Sequence, residues 1–541
     1  MRRLGAQNTD IRRVNKYQGT DSVRKPKTHG DERTIKTAMA VSFVIVLSKL
    51  AGLARVMVFS AMFGQNIETD AYNASYKLLS VMYIGFTAAI SVAFIPIYTK
   101  IRLNQSERQA NLYASNILNF FMICGLLLSA VCYFFAPQIS TLMYQGPQEG
   151  LQMTALLTQI MFPTIFFWSI QGTMTDLLDA RRVFIPEQLV GFPLSGCIIV
   201  ASLLSKDIHV IAWATTLSAV LQVIIVLPFM RKNFKYRARL DLKDKNLRQT
   251  FKIAVPALLS TGFDEINTWT DTLFASRLVT GAVTALNNSF SIAQMILGIL
   301  ITPITTIMFT ELSNFAALGQ MDKLKSTVRK STEVVALLTF PIIVLSIICS
   351  MDIIGVIYQH GKFTVENTLF TAPVFSFYVA GIFGFGMRVF LTRVFYALQM
   401  PRTPMLVGLF SVSLNIALDL ILMGPMGPQG LTFATTVASM ASTVVMLGVL
   451  RKKVGKMSFG KSVGEFAKIF IASAICMAAA YFVHGLIPAS NTDFTANLAR
   501  FIETFGAGLL VFCLMALVLR IDMFGRVVRM FTKKFFRRRT A

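Results

Sequence analysis

Charge is scarce in this sequence, and negative charge scarcest. Only 15% of the 541 residues are charged, and 27 Asp and Glu face 52 Lys and Arg, for a net charge of +25. A soluble domain of this length needs a far larger charged surface, because single cores stop growing well before it. Cysteine is sparse as well. Cys124, Cys132, Cys197, Cys349, Cys476 and Cys513 all fall in apolar runs without a C-x-x-C pair, so they are read as small buried hydrophobes. The four histidines (His29, His209, His360, His484) show no metal-ligand spacing. No Walker A, G-x-S-x-G or H-E-x-x-H pattern occurs, and no connection between apolar runs is long enough for a catalytic domain. The chain is therefore not expected to be an enzyme or to use bound ATP. No aromatic-rich basic groove is visible, so the positive charge does not point to nucleic acid.

What is present is apolar sequence: 54% of residues are hydrophobic, with a mean hydropathy of +0.60. Uninterrupted runs near bilayer length predict an all-α polytopic membrane protein with about fourteen transmembrane helices, and their length excludes a β-barrel. The expected organisation is a disordered basic cytoplasmic tail over 1–35, an N-lobe of helices 1–6 over 36–232, a C-lobe of helices 7–12 over 233–453, helices 13–14 over 454–522, and a second basic tail over 523–541. The first apolar span is too long for a signal-peptide core, so no cleaved leader is expected. Loops with basic residues (Arg181 and Arg182, Arg231 to Arg248, Arg451 to Lys461) alternate with loops nearly free of them. The positive-inside rule makes the basic set cytoplasmic and puts both termini inside.

An internal repeat supports the two lobes. Pro186 with Leu189-Val190-Gly191 recurs as Pro404 with Leu406-Val407-Gly408, and Ala214-Thr215-Thr216 recurs as Ala434-Thr435-Thr436. The copies lie about 220 residues and six spans apart, so both halves have the same orientation, and two such lobes enclose a central cavity.

Two groups of ionisable residues interrupt the apolar runs. A charge at membrane depth costs about 2.5–3.5 kcal/mol on insertion scales, which makes each a functional candidate. Lys49, Arg55, Lys77 and Arg388 form a cationic set suited to phosphate, Arg as a bidentate fork and Lys as a point charge. For this set the competing reading is helix-end snorkelling, to which Lys77 is the most open, or pairing with Asp70. The anionic set is Asp264, Glu265 and Asp271 in the seventh span, with Asn415 and Asp419 one helix turn apart in the eleventh. Such oxygens suit a hard cation, a proton, or a structural hydrogen bond between helices.

Several motifs in order carry a family resemblance: Ser48-Lys49-Leu50-Ala51-Gly52-Leu53-Ala54-Arg55, Phe63-Gly64, Thr69-Asp70-Ala71-Tyr72, Ala93-Phe94-Ile95-Pro96, Tyr358-Gln359-His360-Gly361-Lys362-Phe363 and Arg402-Thr403-Pro404. Over roughly residues 37–520 the chain resembles the MurJ (MviN-type) lipid II flippases of the multidrug/oligosaccharidyl-lipid/polysaccharide exporter superfamily. The resemblance implies two six-helix lobes around a cavity, a groove from the last two helices, and a bacterial cytoplasmic membrane location. It implies flipping of an undecaprenyl-diphosphate-linked peptidoglycan precursor, with membrane lipids as neighbours and a monomeric state. Carried over by position, Arg55 matches an essential first-helix arginine, Ser48 and Lys49 its polar neighbours, Asp70 an acid at the outer end of the cavity, and Arg388 a basic position in helix ten. Asp271, Asn415, Asp419 and Thr435 resemble a sodium site, so sodium is the coupling ion implied and no other cofactor is. Two family cations are absent: Leu78 to Ile90 holds no arginine or acid, Thr87 lying near the acid's place, and Ser291 stands where helix eight has an arginine. These losses keep open a flippase for another polyprenyl-linked glycan. A cation-coupled drug exporter would favour an acidic cavity, and a glycosyltransferase would need a carboxylate-bearing outer loop.

Overall fold

The computed structural model describes residues 29–455, 460–487 and 494–525, without the side chains of 29–43, 84–92, 255–261, 264, 306–307, 310, 317 and 461. The side chains of Thr87, Asp264 and Lys461 and most of both terminal tails thus lie outside the described residues. Residues 1–47 and 48–541 separate into two units, and the second contains every helix except the start of the first one.

All described elements are helices, as the all-α expectation requires. The first half contains α1 (His29–Phe63), α2 (Ile67–Asn104), α3 (Glu107–Phe134), α4 (Ala136–Ser140), α5 (Gln148–Met161), α6 (Pro163–Ala180), α7 (Ile185–Leu189), α8 (Gly191–Leu204) and α9 (Ile208–Asn233). The second half contains α10 (Lys245–Ser276), α11 (Ala282–Leu300), α12 (Thr302–Ala317), α13 (Met321–Ile348), α14 (Ser350–Tyr358), α15 (Val365–Ala380), α16 (Ile382–Ala397), α17 (Arg402–Met426) and α18 (Pro428–Val454). Last come α19 (Gly460–Leu486) and α20 (Phe494–Val518). Ten helices are long and apolar enough to span a bilayer, or twelve if each of two bent pairs is one span, against the fourteen expected. Helices α2 and α10 contain residues whose side chains are not described, and they do not enter that count.

The two bent pairs give the sequence repeat a structural meaning. Helices α5 and α6 meet at 44°, where Pro163 removes a backbone donor, and α15 and α16 meet at 41° around Gly381. At the second break the Gly381 amide turns to Tyr378 O, and the Thr436 hydroxyl of α18 donates instead to Phe377 O at 2.7 Å. At the first break the Thr216 hydroxyl of α9 donates to Ile160 O at 2.8 Å. The same threonine of the Ala-Thr-Thr copies therefore bonds a carbonyl beside the bend in each half. A Cβ at Gly384 would come within 2.6 Å of Ser439 Oγ, so only glycine lets α16 lie this close to α18.

The connection between the halves is fastened rather than loose. Along α3, Ser115, Asn116 and Asn119 receive the irregular segment 234–241. Asn116 accepts from Asp241 N (2.7 Å) and donates to Asp241 O (2.9 Å), Asn119 donates to Arg239 O, and Ser115 Oγ accepts from Arg237 N. The start of α10 continues the attachment: Tyr113 and Thr250 hydroxyls lie 2.6 Å apart, and Phe251 packs edge-on to Phe120. Helices α19 and α20 dock on α13, with Ala472, Cys476 and Ala480 against Ala336 and Leu345. One end of this pair is held by Asp352, which is 2.9 Å from His484 Nε2 and 3.8 Å from Arg500. At the other end Ser462 donates to the buried Glu333.

Candidate functional site

A cavity of about 450 Å³ opens among α2, α10, α11, α15–α16, α17 and α18. From α2 come Asn73, Tyr76, Lys77 and Ser80; from α10, Glu265, Asn267, Thr268, Asp271 and Thr272. Asn287, Phe290 and Gln294 enter from α11, Tyr378, Phe385 and Arg388 from α15–α16, and Ser411, Thr435 and Ser439 from α17–α18. Among the described residues, most of the wall therefore belongs to the second half, with α2 facing it from the first. Among the described residues four are charged: Lys77 and Arg388 against Glu265 and Asp271. The rest of the wall mixes amides and hydroxyls with aromatic rings and with aliphatic side chains such as Val283, Leu286, Leu297 and Val412.

Lys77 does not pair with Asp70. Its ammonium lies 3.2 Å from Glu265 Oε2 and 5.9 Å from the centre of the Phe290 ring. Asp70 instead caps a helix of the other half. Its Oδ2 accepts from Gly281 N (2.6 Å), and its Oδ1 accepts from Thr284 N (2.8 Å) and Thr284 Oγ1 (2.7 Å). The carboxylate so meets the unpaired amides and positive dipole end of α11. Gly281 has φ +91°, and a Cβ there would strike the Gln65 side chain, whose Nε2 donates to Gly281 O at 2.7 Å. Asn287 Nδ2 donates to Asn73 Oδ1, Trp269 Nε1 to Leu142 O, and Lys362 N to Ala61 O. At the end where α2 begins, the halves are thus closed on each other by several independent contacts.

The anionic set separates. Glu265 faces the cavity, while Asp271, Asn415 and Asp419 form a buried cluster with Asn267 and Thr435. With its amide nitrogen turned to the oxygens, Asn415 lies 2.8 Å from Asn267 Oδ1, 3.1 Å from Asp271 Oδ1 and 3.0 Å from Asp419 Oδ2. The Thr435 hydroxyl is 3.1 Å from Asp271 Oδ2. Asp271 and Asp419 contact each other, and Asp419 Oδ1 is buried without a hydrogen-bond partner among the described residues. Two adjacent carboxylates in such a place require a shared proton or a cation. Asp271 and Thr435 also line the cavity and so connect the cluster to it.

Helix α1 contributes less than its sequence promised. Arg55, Lys49 and Ser48 are not on the cavity wall. Lys49 is exposed, Ser48 packs against Gly191, and Arg55 is half-buried with no ion pair among the described residues. The Tyr72 ring, near the start of α2, stacks at 6.4 Å on Tyr76 of the wall. Sequence reasoning missed the closure built from Gln65, Asn73, Gly281, Thr284 and Asn287. The glycine ahead of Ala282-Val283-Thr284 was its one available signal, as a helix start short of a side-chain cap. It also missed the Asp352–His484–Arg500 cluster, whose members are far apart in the chain.

A family model described as "Lipid II flippase MurJ" matches residues 59–492. A "Probable lipid II flippase MurJ" of Thermotoga maritima is 25% identical over 501 residues, 92% of this chain and 99% of that protein. One from Buchnera aphidicola is 25% identical over 422 residues, covering 76% and 83%. Among solved structures, "Lipid II flippase MurJ, inward closed conformation" superposes with a TM-score of 0.75 at 22% identity, covering 90% of this chain and 99% of that one. An inward-facing multidrug resistance MATE family transporter of the MOP superfamily follows at 0.63 and 13% identity, covering 75% and 94%. These last two are likenesses of fold.

Proposed function

Because the chain belongs to the lipid II flippase MurJ family, we propose that it moves undecaprenyl-diphosphate-linked peptidoglycan precursor from the inner to the outer leaflet of the bacterial cytoplasmic membrane by alternating access. The observation that carries this reading is a cavity holding Lys77 and Arg388 in a chain matched to the family over residues 59–492. The diphosphate meets these two cations, and the amides and aromatic rings of the wall receive the sugar and peptide. Arg55 and Lys49 act on the substrate on its way past α1. Both termini face the cytoplasm, following the distribution of basic loops, and the closed Asp70 end is then the outer one. The protein works as a monomer among membrane lipids.

Sodium would be held by the carboxylates of Asp271 and of Asp419, whose Oδ1 is unsatisfied, and by the Thr435 hydroxyl, with Asn415 joining through its oxygen only if its amide turns over. When bound there, the ion neutralises the carboxylate pair and favours whichever conformation holds it better. In Asp419→Asn the stabilisation of the purified protein by sodium chloride over potassium chloride is expected to vanish. Equal melting of the unaltered protein in the two salts would argue for a proton instead.

Growth of a flippase-depleted strain tests the main proposal. The chain should restore growth, and Arg388→Met and Arg55→Ala should fail while remaining in the membrane. Absence of lysine, arginine and acid from Leu78 to Ile90, with Ser291 in α11, favours a second reading, a flippase for another polyprenyl-linked glycan. No rescue of growth, together with loss of a surface polysaccharide on deletion, selects that reading.

A further inference from the structure

Among the described residues, Lys77–Glu265 is the only ion pair joining the two halves, and it stands in the cavity wall. We infer that Glu265 is a built-in competitor for the anionic headgroup: it occupies Lys77 and clasps α2 to α10 until a diphosphate takes the lysine over and frees the clasp. This rests on the proposal that the cavity receives a polyprenyl diphosphate.

Three observations support the exchange. The pair is exposed enough to be displaced, its side chains keeping 21% and 20% of their accessibility. The closure at Asp70 is the contrast: that carboxylate is only 2% exposed and accepts from three donors. An ion pair open to water is worth about 0–1 kcal/mol, so a competitor need not overcome much. Second, a diphosphate brings about two charges where Glu265 brings one, and at equal distance the Coulomb attraction to Lys77 doubles. An ammonium is a point charge without a fixed fork, so it changes partner without turning. Third, Phe290 presents its ring to the same ammonium, which stays in place as the carboxylate leaves.

The wall's charges give the exchange a direction. Among the described residues, two cations and two carboxylates line the cavity. A diphosphate entering it would face Glu265 across the ammonium, and repulsion between the two anions drives Glu265 and its helix away from Lys77. Since Lys77 is on α2 and Glu265 on α10, the relaxation takes place at the seam between the halves. Substrate binding and parting of the halves are then one event, with no ion needed for that step.

The test uses the purified full-length chain, freed of its native cysteines, with one cysteine at Thr272 on the cavity wall. Binding of undecaprenyl diphosphate and of uncharged undecaprenol is measured by native mass spectrometry. Labelling of the cysteine is followed with a membrane-impermeant thiol reagent from the outer side of vesicles. Glu265→Gln should bind undecaprenyl diphosphate about fivefold tighter or more, the effect of removing one partly exposed competitor, and should label faster without lipid. Lys77→Met should label as fast but bind more weakly, and Lys77→Arg should retain binding. If Glu265→Gln, folded as judged by its melting temperature, binds no tighter and labels no faster, Glu265 merely props the lysine and the inference is overturned. If the unaltered chain prefers undecaprenyl diphosphate no more than undecaprenol, the proposed function fails, and the competitor role falls with it; the undecaprenol comparison tells this failure from the first.

Discussion

Asp70 and Glu265 are both carboxylates bridging α2 to the second half, yet their surroundings give them opposite characters. Asp70 is buried and satisfied by two amides and a hydroxyl, whereas Glu265 is partly exposed on the cavity wall and meets a single ammonium. Hydrogen bonds to a charged acceptor contribute about 1.5–3 kcal/mol each, and leaving the α11 amides unpaired adds to the loss. Asp70→Ala is therefore expected to loosen the closed end. A cysteine at Gln294 on the cavity wall should react with an impermeant thiol reagent at least about tenfold faster, the kinetic equivalent of ~1.4 kcal/mol. Unchanged labelling would mean that Gln65, Asn73 and Lys362 keep the end shut without Asp70. The sequence exposed the ionisable residues themselves, because charge in an apolar run stands out. It did not expose their partners. Lys77 could be read as pairing with Asp70, seven residues before it, because its true partner lies 188 residues further along the chain.

At the scale of elements, the Ala-Thr-Thr repeat shows how a short match becomes physics. Its last threonine in each half bonds a carbonyl next to a helix bend. Replacing that hydroxyl by a methyl leaves a buried acceptor wanting, at about 1–3 kcal/mol. Thr216→Val and Thr436→Val should both lower the melting temperature in detergent, and by similar amounts. A loss confined to one of them would show that the two bends are held differently. Helix positions were largely legible from apolar runs, and the bends were partly so, since Gly381 interrupts its run. The break at Phe162 and Pro163 fell inside one continuous run, because apolar content does not reveal where a ladder of hydrogen bonds is interrupted.

For the whole molecule, the sequence pointed to two halves and a cavity between them, but not to how unequally the halves share it. A repeat predicts equal contributions; the wall is instead mostly α10 to α18 with α2 set against it. That asymmetry arises from contacts such as Asn73 with Asn287, which no periodicity encodes. The same contact offers a test of alternating access. A paired Asn73→Cys and Asn287→Cys variant, in a background without native cysteines, should be cross-linked by a short bifunctional thiol reagent and cease to support growth. A cleavable reagent should allow growth to resume on reduction. Full activity of the cross-linked protein would remove separation of the halves at this end from the transport cycle.

The fastening of segment 234–241 to α3 has a mechanical corollary. With Thr250 and Phe251 also held there, α10 has its beginning pinned and its far end against a latch. Thirty-two residues make a rod of about 48 Å, so a tilt of about 10° about that fulcrum swings the distal tip by roughly 8 Å. A modest pivot at one face of the bilayer is thereby geared into a doorway at the other.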